Sequence, residues 1–258
     1  MIDIHCHPLY ETDDGAKTFE IAVDMLKMSA DDGVTHVVAT PHCNFRYSYD
    51  LEANQKKLAE LQAAVGDTPK LLLGCDFRLS YDNINRLTQE RAPYTINGTQ
   101  YVLVEFDDHF IPNLMDNVFY DIQVAGFTPI LTHPERNAVC RRKIQDVYNW
   151  VMRGCLVQIT AQSYLGGFGS EASNAAEQLL DLNMVHVVAS DAHDTKRRPP
   201  LLSPARQKMA LERGESLADL LFQQNPEAII QGNPLPPGPQ PISPADRKDK
   251  KWWSFLKK

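Results

Sequence analysis

Tyr101-Val102-Leu103-Val104-Glu105 decides how the rest of the chain reads. Successive strand residues point to opposite faces, so four apolar residues in a row describe a strand covered on both sides. Parallel sheets have such strands. The run stops on a carboxylate, which is costly to bury unless it is paired or coordinates a metal ion. Six further short, β-rich apolar runs flank it: Ile2–Ile4, His36–Thr40, Leu71–Gly74, Pro129–Thr132, Leu156–Thr160 and His186–Ser190. Between them, apolar residues recur at helical spacing over Thr18–Asp31, Leu51–Val65, Ile111–Ala125, Arg141–Met152 and Glu171–Leu182, and Leu202–Gln224 has room for two final helices. Alternating strand and helix reads as βα units around a parallel sheet. Seven units, close to the (β/α)8 count, predict an α/β barrel distorted from that form, with an open doubly wound sheet as the alternative.

Where the strands stop, metal-binding side chains follow. His5 and His7 close the first run, His42 comes after the second, Asp76 after the third, Glu105 at the fourth, His133 after the fifth, and Asp191 with His193 after the last. Parallel strands all end on one face, so these residues can meet in one pocket at the C-terminal ends of the strands. Asp14, in the Asp13-Asp14-Gly15 turn beside His7, joins the set. Each residue alone has an ordinary structural explanation, a turn Asp or a solvated strand end. The coincidence is what carries weight, since five of the eight histidines sit at such ends. His36 and His186 open strands and read as structural, and His109 reads as a rim residue. Five neutral imidazoles with Asp14, Asp76, Glu105 and Asp191 leave a net negative cluster. Counting one hydroxide, two divalent ions leave the site negative and three make it positive, as a phosphate dianion requires. Arg136 and Arg198 follow two of the ligand groups, and their planar forks suit phosphate oxygens.

Composition narrows the class. The chain has 258 residues, 43% hydrophobic and 23% charged, enough for one barrel domain and ordinary for a water-soluble one. It has no apolar run long enough to span a bilayer. Met1-Ile2-Asp3-Ile4-His5 shows neither the basic start nor the apolar stretch of a secretory signal. Five cysteines with no C-x-x-C pair fit a reduced cytoplasmic setting. A net charge of −7 argues against nucleic-acid binding. Residues 1–231 read as the barrel domain. Residues 232–258 read as a disordered Pro-rich linker and tail, from Gly232-Asn233-Pro234-Leu235-Pro236-Pro237 to Lys250-Lys251-Trp252-Trp253-Ser254-Phe255-Leu256-Lys257-Lys258. Residues 247–258 carry a net +5 against an acidic body. This composition suits a membrane surface, which would place the protein at the membrane periphery, or an acidic partner; a plain solvated end fits equally well.

Two competing signals fail. Gly167-Phe168-Gly169-Ser170-Glu171-Ala172 matches G-x-G-x-x-A but lies well past the sixth strand, not directly after it, so a dinucleotide site is set aside. A cysteine phosphatase needs Arg six residues after its Cys, and those positions hold Thr12, Tyr49, Tyr81, Asp146 and Ala161.

Taken in order, His5-Cys6-His7, Asp13-Asp14-Gly15, Thr40-Pro41-His42, Gly74-Cys75-Asp76, Val104-Glu105-Phe106, Thr132-His133-Pro134-Glu135-Arg136-Asn137 and Ser190-Asp191-Ala192-His193, with Arg198-Pro199-Pro200, resemble the PHP (polymerase and histidinol phosphatase) superfamily. Within it they look like the protein-tyrosine phosphatases of bacterial capsule and exopolysaccharide clusters. The resemblance implies a distorted (β/α)7 TIM-like barrel holding three divalent ions, manganese first, with iron, magnesium, zinc or cobalt as alternatives. It assigns His5, His7, Asp76 and Asp191 to the first ion, Asp76, Glu105 and His133 to the second, and Asp14, His42 and His193 to the third. Arg136 and Arg198 become the catalytic, phosphate-binding residues. The implied substrate is a phosphotyrosine protein, a tyrosine kinase controlling polysaccharide export. One position departs from the pattern: Asp76 stands where a glutamate is usual, one methylene shorter. Two other activities remain open, another phosphoesterase such as a histidinol-phosphate phosphatase and a non-catalytic metal-binding docking protein. A homo-oligomer is compatible with the sequence. An amidohydrolase barrel also opens with His-x-His, but the closing Asp-x-His fits the PHP pattern better.

Overall fold

In a computed structural model that describes residues 1–88, 93–107, 111 and 115–246, nine strands lie parallel. They are β1 (Ile2–Cys6), β2 (His36–Ala39), β3 (His42–Cys43), β4 (Lys70–Leu73), β5 (Asp76–Arg78), β6 (Tyr101–Glu105), β7 (Thr128–Thr132), β8 (Leu156–Thr160) and β9 (Val187–Ala189). Hydrogen bonding divides them into a three-stranded sheet, β1-β2-β4, and a six-stranded one, β3-β5-β6-β7-β8-β9. The division follows from two breaks. Pro41 has no N–H to donate, and it separates β2 from β3. Gly74 separates β4 from β5 and lies so near β2 that a Cβ there would come within 2.9 Å of Val38 Cγ1. The broken pairs still travel together, because the Gly74 amide donates to the Ala39 carbonyl at 2.8 Å and the Asp76 amide to that of Pro41 at 3.1 Å. Each broken pair therefore counts as one bent strand, giving seven.

The ring closes where the chain after β9 meets β1. The Asp191 amide donates to the His5 carbonyl at 2.7 Å, and the His7 amide to the Ala192 carbonyl at 2.9 Å. The distorted (β/α)7 barrel stands, and the open doubly wound sheet does not.

Helices cover the strands. Among them, α1 (Phe19–Asp31) is capped by Thr18 and α2 (Leu51–Val65) by Asp50, each side chain accepting an amide of the first turn. Next come α3 (Tyr81–Thr88), α4 (Met115–Val124), α5 (Ala138–Arg142), α6 (Ile144–Met152), α7 (Ala161–Tyr164), α8 (Ser170–Asp181), α9 (Ser203–Arg213), α10 (Glu215–Asp219) and, after a wider turn over Leu220–Gln224, α11 (Asn225–Gln231). Four features depart from the periodicity reading. Helix α3 was not anticipated, Arg141–Met152 lies in two helices broken at Lys143, the short α7 follows β8 directly, and α11 extends the final helical region to Gln231. Apolar side chains form two layers. Tyr101 and Leu103 of β6 join Ile2, Ile4, Ile130, Val187 and α11's Ile229 in the smaller one. Val102 and Val104 join the larger one, which contains the helix residues. By this period of two, Glu105 continues the smaller layer to the barrel mouth, and Gln158 shares the parity of Leu156.

The free-linker expectation over 232–258 meets a different arrangement in its first part. Extended Pro-rich backbone leaves its carbonyls free to accept. Tyr101 Oη donates to the Asn233 carbonyl at 2.7 Å, and Asn183 Nδ2 to that of Gln240 at 3.0 Å. Leu235 and Ile242 pack on the two apolar layers. Residues 232–242 thus strap the barrel end opposite the mouth. The tail over 247–258 and His109 lie outside the described residues.

Candidate metal centre

At the mouth, three imidazoles, those of His5, His7 and His193, are aimed by the hydrogen bond that Nδ1 makes. His5 Nδ1–H donates to Gln158 Oε1 at 3.0 Å and His7 Nδ1–H to Asp13 Oδ2 at 2.8 Å, leaving both Nε2 atoms as acceptors. Those two Nε2 atoms are 3.2 Å apart. Two lone pairs do not face each other at that distance unless a cation or a proton lies between them. His193 Nδ1–H donates to the Asp191 carbonyl at 3.0 Å, and its Nε2 points to Asp14 Oδ1 at 3.4 Å. His42 bridges two acids, with Nε2 3.2 Å from Asp14 and Nδ1 3.0 Å from Asp76.

All nine sequence-predicted ligands come together here. Donor atoms of three groups lie within 4.8 Å of one another: His7, Asp14, His42 and His193; His5, His7 and Asp76; His42, Asp76 and Glu105. This sharing differs from the partition that the resemblance implies. His42 stands with Asp76 and Glu105 where His133 was expected. His133 Nε2 is 3.9 Å from Glu105 Oε1, and its ring stacks on His5 at 5.7 Å. Asp191 Oδ1 is 3.4 Å from Nε2 of both His5 and His7. Its Oδ2 receives Arg136, and Arg198 Nη2 at 2.5 Å. His133 and Asp191 both have left-handed backbone, with φ of 34° and 50°, uncommon for residues with a Cβ and concentrated at functional sites.

The donor set fits divalent cations. Both oxygens of the fully buried Asp76 lack a hydrogen-bond partner among the described residues, as do His42 Nδ1 and His193 Nε2. A buried carboxylate left so is expensive unless a cation sits on it. Titration behaviour agrees. Burial disfavours charge on His42, yet Asp14 and Asp76 outweigh it and push its pKa up to about 12. Burial is likewise overcome at His5, raised to about 9 by Asp191 and Asp76. Burial, then Asp76, raises Glu105 to about 8. These upward shifts mark an excess of negative charge that divalent cations would offset. By contrast, burial and then His7 lower His193 to about 4, and burial and then Arg136 depress His133. Both are thereby neutral, ligand-competent imidazoles.

Three supporting residues escape the strand-end pattern. Asp13 receives His7 Nδ1–H, and its Oδ2 also accepts the His42 amide at 2.9 Å. It can do so because Gly15 brings the turn against His7: a Cβ on Gly15 would lie 2.2 Å from the His7 carbonyl. Gln158 is a buried amide in an otherwise apolar strand. Asp3, fully buried, accepts Ser190 Oγ–H at 2.5 Å and the Ser190 amide at 3.0 Å, tying β1 to the Asp191 turn. For Asp3 and Gln158 the available signal was a polar residue inside an apolar run; Asp13, in its turn, gave none. Phe168 was seen only as part of a nucleotide-like pattern, but α7 separates that stretch from β8. Its ring lies over Arg136 Cζ at 4.5 Å and Arg198 Cζ at 5.7 Å.

Known proteins share both sequence and fold with this chain. A family model described as "Capsular polysaccharide synthesis, CpsB/CapC" matches residues 1–231. CapC of Staphylococcus aureus, a candidate tyrosine-protein phosphatase, is 34% identical over 99% of this chain and 100% of its own. The tyrosine-protein phosphatase YwqE of Bacillus subtilis is 32% identical over 93% of this chain and 96% of its own. A crystal structure from work on YwqE of Bacillus subtilis and CpsB of Streptococcus pneumoniae, described as metal-dependent tyrosine phosphatases, superposes with a TM-score of 0.87. It shares 31% identity and covers 94% of this chain and 99% of that one.

Proposed function

The chain belongs to the CpsB/CapC family of capsular polysaccharide synthesis, and from that premise we propose that it is a metal-dependent protein-tyrosine phosphatase of the PHP type. Its proposed substrate is a phosphorylated tyrosine kinase that governs capsule or exopolysaccharide export, met on the cytoplasmic side of the membrane. The observation that supports this most is the convergence, at one barrel mouth, of His5, His7, Asp14, His42, Asp76, Glu105 and His193, with His133 beside Glu105, Asp191 beside His5 and His7, and Arg136 and Arg198 against Asp191.

We assign three divalent ions to the nine donors, manganese first. When bound, such ions supply Lewis acidity toward phosphoryl oxygens and an activated water at neutral pH. The chain's own residues do the rest. Asp13 and Gln158 hold the imidazoles of His7 and His5 in the tautomer that presents Nε2. Arg136 and Arg198 offer planar donor forks to the equatorial phosphoryl oxygens and carry the charge that builds there. A departing tyrosinate has a solution pKa near about 10, so it needs less proton assistance than an alkoxide. The basic, Trp-containing tail over 247–258 is proposed to meet an acidic membrane surface.

The test compares kcat/KM for a phosphotyrosine peptide and for histidinol phosphate, with and without EDTA, alongside elemental analysis of protein purified without chelator. Preference for the peptide, loss of activity in EDTA and in His5→Ala, and stoichiometric bound metal are expected. Preference for histidinol phosphate, or bound metal with no turnover of either, would overturn the reading.

A further inference from the structure

We propose that Phe168 is the aryl-recognition residue of the phosphate site: its ring, fixed over Arg136 and Arg198, is the wall against which the phenyl ring of an aryl phosphate monoester packs. The inference deepens the phosphatase reading and rests on it for the role of the two arginines.

The segment that carries Phe168 is built to hold one side chain still. Gly166 and Gly169 have φ of +89° and +86°, a region glycine enters at no steric cost. The Gly167 amide donates to the Gln162 carbonyl at 2.8 Å and the Gly169 amide to that of Gly166 at 3.0 Å. A Cβ on Gly167 would lie 2.4 Å from Gln162 Cγ, so the turn packs directly on Gln162. That side chain in turn donates to the Arg197 carbonyl at 2.7 Å, tying the turn to the chain beside Arg198. A short, hydrogen-bonded, glycine-framed turn thus presents one bulky residue to the mouth.

Phe168 meets two cations there. Both guanidiniums converge on Asp191 Oδ2, and the face of an aromatic ring attracts such a cation. The ring is only half-buried, so part of it remains available beside the groups that would hold phosphate. A phosphate-only site would use the ring only to steady the arginines. An aryl phosphate, whose ring lies one ester oxygen from the phosphorus, gains an aromatic contact. An alkyl phosphate does not. Ring–ring contacts of this type are worth about a tenfold change in affinity.

The full-length, metal-loaded protein tests this by calorimetric titration with phenylphosphonate and ethylphosphonate, which cannot be hydrolysed. Phe168→Ala should weaken phenylphosphonate about tenfold and leave ethylphosphonate within about twofold. Phe168→Trp should restore the aryl preference, and Phe168→Leu, which keeps bulk without an aromatic face, should not. With a phosphotyrosine peptide the loss should appear in KM more than in kcat. Equal weakening of both phosphonates, which marks a ring that only steadies the arginines, would overturn the proposal, as would no change in either. A wild-type protein that shows Phe168-dependent phenylphosphonate binding yet hydrolyses no phosphotyrosine peptide would sink the phosphatase reading and leave this inference standing.

Discussion

Asp13 sits behind the proposed metal ligands and decides how two of them, His7 and His42, face. One of its oxygens receives both the His7 ring N–H and the His42 amide. Burial alone would raise its pKa, but His7 and His42 outweigh that and lower it to about 2, so it stays a carboxylate over the whole working range. Asp13→Asn keeps the shape and removes the charge. It should weaken metal binding about 10- to 100-fold while leaving the circular dichroism spectrum unchanged; affinity equal to wild type in a metal titration would show that the turn alone orients His7. Sequence reading picked out Asp14 and passed over Asp13 because both share one turn, and only the fold shows which of them turns inward. Gln158 was missed for a related reason: its partner His5 is 153 residues away. His186 carries a pH prediction far from the metal centre. Its Nδ1 accepts the Val157 amide at 3.1 Å, which requires the neutral ring, and burial lowers its pKa to about 4. The unfolded chain, with a histidine pKa near about 6.5, binds a proton that the folded one refuses. Stability from this group is therefore full above pH about 6.5 and falls as pH drops toward about 4. Because the side chain is partly exposed, about 1 kcal/mol is expected between pH 7 and 5. Urea unfolding of the metal-loaded protein should show that loss in wild type and a flatter profile in His186→Gln. Identical profiles would remove His186 from the account.

Among elements, the two interrupted strands carry most of the site. The apolar runs His36–Thr40 and Leu71–Gly74 were legible as strands, but β3 and β5 beyond them were not. Two or three residues such as His42-Cys43 and Asp76-Phe77-Arg78 are too short and too polar to show a period. Yet those stubs hold His42 and Asp76 in register with each other. The other β-runs overlap the observed strands because their burial on both faces makes them uniformly apolar. The helix at Tyr81–Thr88 was invisible because it is short, buries the polar Asn83 and exposes the aromatic Tyr81. Gly74→Ala, which drives a Cβ to 2.9 Å from Val38 Cγ1 and 3.3 Å from Thr40 Cγ2, should shift the bend between β4 and β5 and with it Asp76. It should cost about 1–3 kcal/mol in unfolding free energy and lower metal affinity too. A loss of stability with metal affinity intact would mean that the bend and the ligand are independent. The strap over 232–242 belongs to the opposite end. Truncation after residue 246 should leave the melting temperature within about 1 °C. Truncation after residue 232 removes the Asn233 acceptor of Tyr101 and the apolar contacts of Leu235 and Ile242, and should lower it by about 5 °C, with phosphatase activity retained at low temperature.

At the scale of the whole molecule, the barrel closes through the same residues that are proposed to bind metal. Asp191 and Ala192 hydrogen-bond to the backbone of His5 and His7, so the last βα unit is joined to the first at the ligand positions themselves. Removing cations should therefore loosen the fold as well as stop turnover. A single site filled at a thousandfold over its dissociation constant stabilises by about 4 kcal/mol, and for a chain of this length each kcal/mol moves the melting temperature by about 2–4 °C. Protein stripped with EDTA should melt roughly 10 °C lower than protein with manganese restored. Hydrogen exchange should rise first at the β1–β9 seam, where the backbone bonds depend on ligand geometry, and last in β6 and β7, whose pairing lies deeper in the sheet. If the stripped protein melts at the same temperature and exchanges uniformly, the carboxylates and imidazoles are held by protons and hydrogen bonds alone. Closure of the barrel would then be independent of the ions proposed at its mouth.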